Sequence, residues 1–338
     1  MVASIEDVAR HAGVSIATVS RALRGLPDVA SSTRDRVLAA ASELNYVASP
    51  FAARLASGRT TTVGLVVPFV NRWFFAEVIA TVETALRQAG FDLLLYNLGD
   101  QEGRARFFDV MPMRKRVDGV LVASIVLEDT EFDALADLKR PLGLLGLERE
   151  GVLSTRIDDV AAARAAVDHL VALGHRRIAL IGGDTDDPMA FTPPLHRRDG
   201  YRDALAAAGL DADPQWEHLG YFTVEGGRDA ARRLLALDDR PSAIFAESDE
   251  MAYGALREIR DAGLRVPEDL AVIGFDDQPL SDLMRLSSIR QPVAEQALDI
   301  TTRLLALIAE DTDEPPSNAS VVLPTELVAR GSTVAAEP

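Results

Sequence analysis

The apolar positions of this 338-residue chain change their period near residue 60. Before that point they recur at helical spacing. Ile5, Val8 and Ala9 lie at i, i+3 and i+4 and mark one face of a short helix starting near Ile5. Ser4 is placed to cap it, and Asp7 sits where the positive helix end favours a carboxylate. Gly13 stops it, because glycine takes the left-handed conformation of a tight turn. Ser15 can cap a second helix from Ile16 to about Arg24, with Val19, Ala22 and Leu23 inward and Ala17, Ser20, Arg21 and Arg24 outward. A third helix, from about Ser32 to Leu44, turns Val37, Leu38, Ala41 and Leu44 inward. Helix, glycine turn and helix form a helix-turn-helix, whose second helix enters the DNA major groove.

From Thr62 the pattern alternates. Apolar runs such as "TVGLVV", "DLLLY", "GVLVA", "IALIGG", "SAIFA" and "LAVIGF" each precede a segment of helical period. That is the pattern of parallel sheets covered by helices, with more units than one small sheet needs.

Composition narrows the classes. The chain has 48% hydrophobic and 26% charged residues, as a soluble globular protein does. It has no cysteine, so disulfides, thiolate metal sites and thiol catalysis are excluded. No apolar run approaches the ~20 residues of a membrane span. "MVASIEDVAR" has no basic start followed by an apolar stretch, so a cytoplasmic protein is expected. The net charge of −17 is uneven: residues 1–60 hold seven Arg or Lys against five Asp or Glu. A slightly basic head on an acidic body can bind a polyanion through the head alone. The stretch "VSIATVSRAL" suits that role. Its small residues let a backbone approach the groove, its hydroxyls suit phosphates, and Arg21 is long enough for a guanine edge. Taken alone, the same helix also reads as amphipathic, with Arg21 merely solvated.

"IEDVARHAGVSIATVSRAL" resembles the head of the lactose-repressor (LacI/GalR) family, and "STRDRVLAAASELNYVASPFAARLASGRTTTVGLVVP" continues the resemblance without a gap. "NRWFFAEVI", "RVDGVLV", "HLVALGHRRIALIGG", "ESDEMAYGALREIRDAGLRVPEDLAVIGFDD" and "PTELVARGST" extend it over nearly the whole chain. It implies an all-α helix-turn-helix DNA-binding head over 1–46, a hinge helix or linker over 47–60, and a body over 61–338. The body would be α/β and periplasmic-binding-protein-like: two doubly wound lobes joined by three crossings, with a ligand in the cleft. Lobe one would take about 61–160 plus 291–318, and lobe two about 161–290 plus 319–338. Ile16, Ala17 and Arg21 would read the major groove, and Thr18 and Ser20 would lie close to phosphates.

Between Pro50 and Gly58 the linker is shorter than the ~12–15 residues an isolated helix needs. It is expected to be helical only when packed against its twin from a second subunit on the minor groove. Leu55 matches the leucine that wedges between base pairs at the operator centre; its alternative is ordinary packing onto the body. Ser49 stands where family members usually carry Asn, which puts a minor-groove amide contact in doubt.

The cleft would lie at the carboxyl ends of strands, where open α/β sheets bind ligands. Phe74 and Phe75 follow the first strand, Phe222 and Ser248 end later ones, Arg197 begins "RRDG", and Asp276 stands in "IGFDD". Arginine, carboxylate and aromatic rings facing one cleft suit a neutral polyhydroxylated ligand. Asp276 also reads as a helix cap, Phe75 as core, and Asp158 as either a cleft residue or a hinge cap. Asp249 reads as a cap for the helix at Met251. His169 and His175 share no helix face well and read as structural. The "MAFTPPLH" loop is expected to shape specificity.

No G-x-S-x-G elbow, G-x-x-x-x-G-K-[ST] loop or G-x-G-x-x-G fingerprint points to an enzyme. A sugar-binding transport protein fits the body, but not the head or the N-terminus. The expectation is a dimeric repressor of a palindromic operator, released by a small-molecule effector of sugar type, with no cofactor, metal or membrane. A purine-type regulator that needs a corepressor is the alternative.

Overall fold

The computed structural model describes residues 3–23, 28–46, 59–187, 189, 191–313 and 319–334. They form two compact units that divide at Thr61 and Thr62.

The first unit holds α1 (Ile5–Ala12), α2 (Ile16–Leu23) and α3 (Ser31–Glu43). Ser4 and Asp7 form a reciprocal capping box at the start of α1, and Gly13 ends it at φ 63°. Ser15 Oγ accepts the Thr18 N–H at 3.1 Å and so caps α2. The core is made of small side chains, Val8, Ala9, Ala12, Val19, Ala22, Val29, Val37, Ala40 and Ala41. Leu38 departs from the expected inner face. It is 47% exposed, and Ala40 takes the inward place instead. Three short helices meet closely here, and an alanine fits where a leucine would not.

The second unit carries two six-stranded sheets. The first is built from β1 (Thr62–Val67), β2 (Asp92–Asn97), β3 (Gly119–Ala123), β4 (Leu142–Leu145), β5 (Leu153–Arg156) and β11 (Ser320–Val322). Its order is β11-β5-β4-β3-β1-β2, with every pair parallel. The second sheet contains β6 (Ile178–Gly182), β7 (Glu217–Leu219), β8 (Ala243–Ala246), β9 (Ala271–Asp276), β10 (Ser287–Arg290) and β12 (Glu326–Val328). It runs β12-β10-β9-β8-β6-β7, parallel except for β12 against β10. β1 and β8 are wholly buried apolar strands, as sheets covered on both faces require.

In chain order the helices of this unit are α4 (Trp73–Gln88), α5 (Gln101–Val110), α6 (Asp129–Ala136), α7 (Asp159–Ala172), α8 (Pro193–Ala207), α9 (Val224–Leu235), α10 (Asp249–Asp261), α11 (Pro279–Met284) and α12 (Val293–Glu310). α4 and α12 close the core of the first sheet through Phe75, Val78, Val82, Ile300 and Leu304. α7 and α8 close one face of the second, around Tyr201 and Phe245. The chain passes between the sheets after β5, after β10 and after β11. The last crossing corrects the expected boundary at residue 319. Ser320–Val322 still pairs with β5 of lobe one, and only the stretch from β12 onward joins lobe two. In each sheet the winding reverses direction once, between β1 and β3 and between β6 and β8. Ligands of open α/β sheets sit outside the strand ends at such a reversal.

Candidate functional site

In the head, α2 presents one short exposed face. Ile16 is 46% exposed, Ala17 and Arg21 are exposed, and Thr18 and Ser20 are half-buried beside them. Val19 and Ala22 turn the opposite way, into the core. The Thr18 hydroxyl lies 2.9 Å from Ser15 Oγ, so it is shared with the helix cap. Arg21 makes no ion pair among the described residues. Arg24, Ser49, Pro50, Leu55 and Gly58 lie outside the described residues, so the hinge reading stays an expectation.

In the body, a cavity of about 40 Å³ lies between the two lobes. That is room for a few waters, each needing roughly 10–15 Å³ of such space. Five of the six expected residues line it: Phe74, Phe75, Arg197, Phe222 and Asp276. Ser248 does not. It is 1% exposed and caps α10 by accepting the Met251 N–H. The next residue, Asp249, is therefore not the cap it was expected to be. Its carboxylate accepts from Ser281 Oγ, Ser288 Oγ and the Gln278 N–H, inside the lobe-two core.

Lobe two supplies the charges. Arg197 stands on α8, is 4% exposed, and lies with its guanidinium 3.6 Å from the centre of the Phe275 ring. Its Nε donates to Asp159 at 2.8 Å and one Nη donates to the Glu247 carbonyl. Asp276 ends β9 and lies 3.9 Å from the same guanidinium. Its φ of 114° is rare for a residue with a side chain. Gln291 Nε2, at the crossing after β10, donates to Asp276 Oδ1. Burial pushes the Asp276 carboxyl well above the usual carboxylate range, an effect that Arg197 only partly offsets. Glu247 is pushed up to about 8 by burial, against the lowering effects of the Gly183 N–H and Arg197. Asp158 is the exposed N-cap of α7, and Asp159 is the one that faces Arg197.

Lobe one supplies rings and one cation. Phe75 is at once core and cleft wall, packed edge-on to Phe74 at 5.2 Å. Arg72 precedes α4 and donates to the carbonyls of Tyr221 and Phe222, at 2.7 and 3.1 Å, across the cleft. Both acceptor residues have left-handed backbones, at φ 54° and 53°. Phe222 can lie there because residue 183 is glycine; a Cβ at that position would run into the Phe222 ring. Sequence reasoning missed Arg72, Asp159, Phe191, Glu250 and Gln291, all of which line the cavity. Arg72 and Glu250 lie inside stretches quoted above, and Phe191 sits in the loop singled out for its double proline; Asp159 and Gln291 carried no such signal. His169 pairs with Thr333 and His175 with Ser242, both away from the cavity.

A helix-turn-helix unit followed by a two-lobed α/β body with an interlobe cavity defines a DNA-binding regulator of the periplasmic-binding-protein type. The chain belongs to the LacI family: residues 4–49 match the bacterial regulatory proteins of the lacI family, and residues 167–333 match the periplasmic binding protein-like domain. It is 34% identical to the HTH-type transcriptional repressor CytR of Escherichia coli (strain K12), over 98% of this chain and 96% of that one. The complex of the transcriptional regulator CelR with cellobiose superposes with a TM-score of 0.71 at 34% identity, covering 98% of this chain and 99% of that one. The lac repressor dimer bound to operator and the anti-inducer ONPF gives 0.86 at 27% identity, covering 99% of this chain and 100% of that one. No helix among the described residues is long and apolar enough to cross a membrane.

Proposed function

We propose that the protein is a ligand-responsive, cytoplasmic transcription repressor that binds a palindromic operator as a homodimer. A neutral sugar or sugar derivative in the interlobe cleft would be its inducer. The observation that carries this reading is the set Arg197, Asp159, Asp276 and Gln291 lining one cavity with the rings of Phe74 and Phe222. Fixed donors and acceptors together with aromatic carbon match a ring with polar edges and an apolar face. An anion would meet Asp159, Asp276 and Glu250, and a cation would meet Arg72 and Arg197. The complex of CelR with cellobiose, similar along its full length, supports the sugar.

Each head offers one α2, which reads a half-site, so a two-fold dimer matches a palindrome. Ile16, Ala17 and Arg21 would read base edges, with Thr18 and Ser20 near phosphates. The effector then acts by linkage. A sugar that favours the low-affinity form weakens operator binding by its own differential affinity, commonly ~1–3 kcal/mol. Fluorescence-anisotropy titration of the full chain on its operator, with and without a panel of saccharides, tests this. At least one saccharide is expected to weaken binding. If none does, or if ligand is required for binding, the inducer reading fails.

A further inference from the structure

The connection between β6 and α8 starts and ends in lobe two, yet its middle is packed in lobe one. Met189 is 3% exposed and lies in the lobe-one core with Phe107, Met111 and Met113. Its N–H donates to Asp187 Oδ1 at 2.8 Å, and its carbonyl accepts from Arg104 Nη1 of α5 at 2.7 Å. Two residues on, Phe191 lines the interlobe cavity, its ring 6.0 Å from Phe75 of lobe one and 5.3 Å from Phe222 of lobe two. Among the described residues the Phe191 backbone makes no hydrogen bond. This stretch of wall is therefore held through Met189 and through its own ring contacts.

Arg104 does not line the cavity. It is 6% exposed and uses all three nitrogens of its guanidinium. Nε and Nη2 hold the two oxygens of Glu131, at 2.8 and 2.7 Å, and Nη2 also donates to the Val126 carbonyl at 2.7 Å. Those acceptors belong to lobe one. Only Nη1 reaches out of the lobe, to Met189. A buried ion pair adds little stability over apolar side chains of the same size, so packing alone does not call for an arginine here. What leucine or lysine would not supply is a rigid planar fork that serves three acceptor residues at once.

We propose that Arg104 is a positioning residue of the effector site: from inside lobe one it sets where the Phe191 wall of the cavity stands, without touching a guest. The bearing of that wall on binding rests on the sugar reading above; its placement by Arg104 does not.

Methyl NMR of the full chain, labelled at its methionines, tests the placement. Met189 reports the strap, Met111 and Met113 the lobe-one core, and Met251 the lobe-two core. The Arg104→Leu/Glu131→Gln variant leaves no charge of the pair behind, and the glutamine keeps an acceptor for the Glu128 N–H that Glu131 now holds. In it the Met189 signal is expected to move to the position of an exposed methionine, while Met111, Met113 and Met251 keep the positions of buried ones. Arg104→Lys, which retains the charge pair, is expected to move Met189 the same way. A Met189 signal that stays in place in both variants overturns the proposal. So does one that moves only together with Met111 and Met113, which would make Arg104 a support of the lobe-one core and nothing more.

Isothermal titration with cellobiose, maltose, lactose and glucose carries the test to the site. For whichever of them binds, the Arg104→Leu/Glu131→Gln change is expected to weaken binding about five-fold or more on its own, and by less than about two-fold in a Phe191→Ala background, because residues acting through one another do not add. Equal losses in the two backgrounds overturn the link between Arg104 and the wall. If none of the four binds the wild type, the failure falls on the sugar reading, and the methyl spectrum decides the placement by itself.

Discussion

The two lobes share a winding but not a chemistry. Both carry a parallel sheet whose order reverses once, and both offer that reversal to the cleft. Lobe two brings Asp159, Arg197, Glu250 and Asp276, held among themselves by hydrogen bonds and burial. Lobe one brings Phe74 and Phe75, with Arg72 as its only charge in the cavity. Charge is thus concentrated in one half, while rings come from both, Phe74 and Phe75 from lobe one and Phe191 and Phe222 from lobe two.

The strongest test of this division is the loss of a lobe-two charge. Asp276→Ala should lower effector affinity by about 100-fold or more, since truncating a buried hydrogen-bonding group and leaving Arg197 and Gln291 without it costs ~2–5 kcal/mol. Operator affinity without effector should stay at the wild-type value. Titration calorimetry and anisotropy on the same preparation measure the two; unchanged sugar affinity would remove Asp276 from the site.

A change in neither lobe sharpens the comparison next. Arg21→Ala should cost roughly 1–3 kcal/mol of discrimination at one base pair per half-site and leave sugar binding alone. Binding to operator variants measures it. An equal loss on every sequence would make Arg21 a phosphate contact.

The third outcome concerns pH and belongs to lobe two alone. Glu247 holds its proton to about pH 8 in the folded protein, whereas a free glutamate loses it near pH 4.5. The folded state therefore binds more protons between those values, so stability is full at the acid end and falls as pH rises through the window. The slope is about 1.4 kcal/mol per pH unit for one such group. Glu247→Gln keeps an acceptor for the Gly183 N–H and should flatten that part of the profile. Thermal melts at pH 5 and pH 8 compare the two, and parallel profiles would assign the slope elsewhere.

The smallest effect lies in lobe one. Phe74→Ala removes a face without stranding a charge, so effector affinity should fall by only about 3–10-fold, the worth of one aromatic contact. A loss as large as that of Asp276→Ala would end the division of labour described here.

Local features were legible in the sequence and distant ones were not. The reading face of α2 spans six residues, and its spacing alone separates Val19 and Ala22 from Ala17 and Arg21. The cleft collects residues from 72 to 296, and only those next to a strand end or inside a quoted motif stood out. Gln291 carries no local mark; it faces the cavity because the crossing after β10 passes there. Ser248 and Asp249 show the limit within one pair. Both follow a strand, and only packing decides that the serine caps the helix while the aspartate serves three buried donors. Leu38 failed for a related reason: helical period names a face, but the room between short helices decides which side chain fills it.

The clasp from Arg72 to the Tyr221 and Phe222 carbonyls has an evolutionary side. Its acceptors are main-chain atoms, so the contact between lobes does not depend on which side chains stand at 221 and 222. The left-handed backbone there is uncommon for any residue with a side chain and worst for β-branched ones, so few substitutions suit it as well as glycine or asparagine. A substitution at 222 that keeps this backbone therefore changes the wall of the cavity while leaving both acceptors in place.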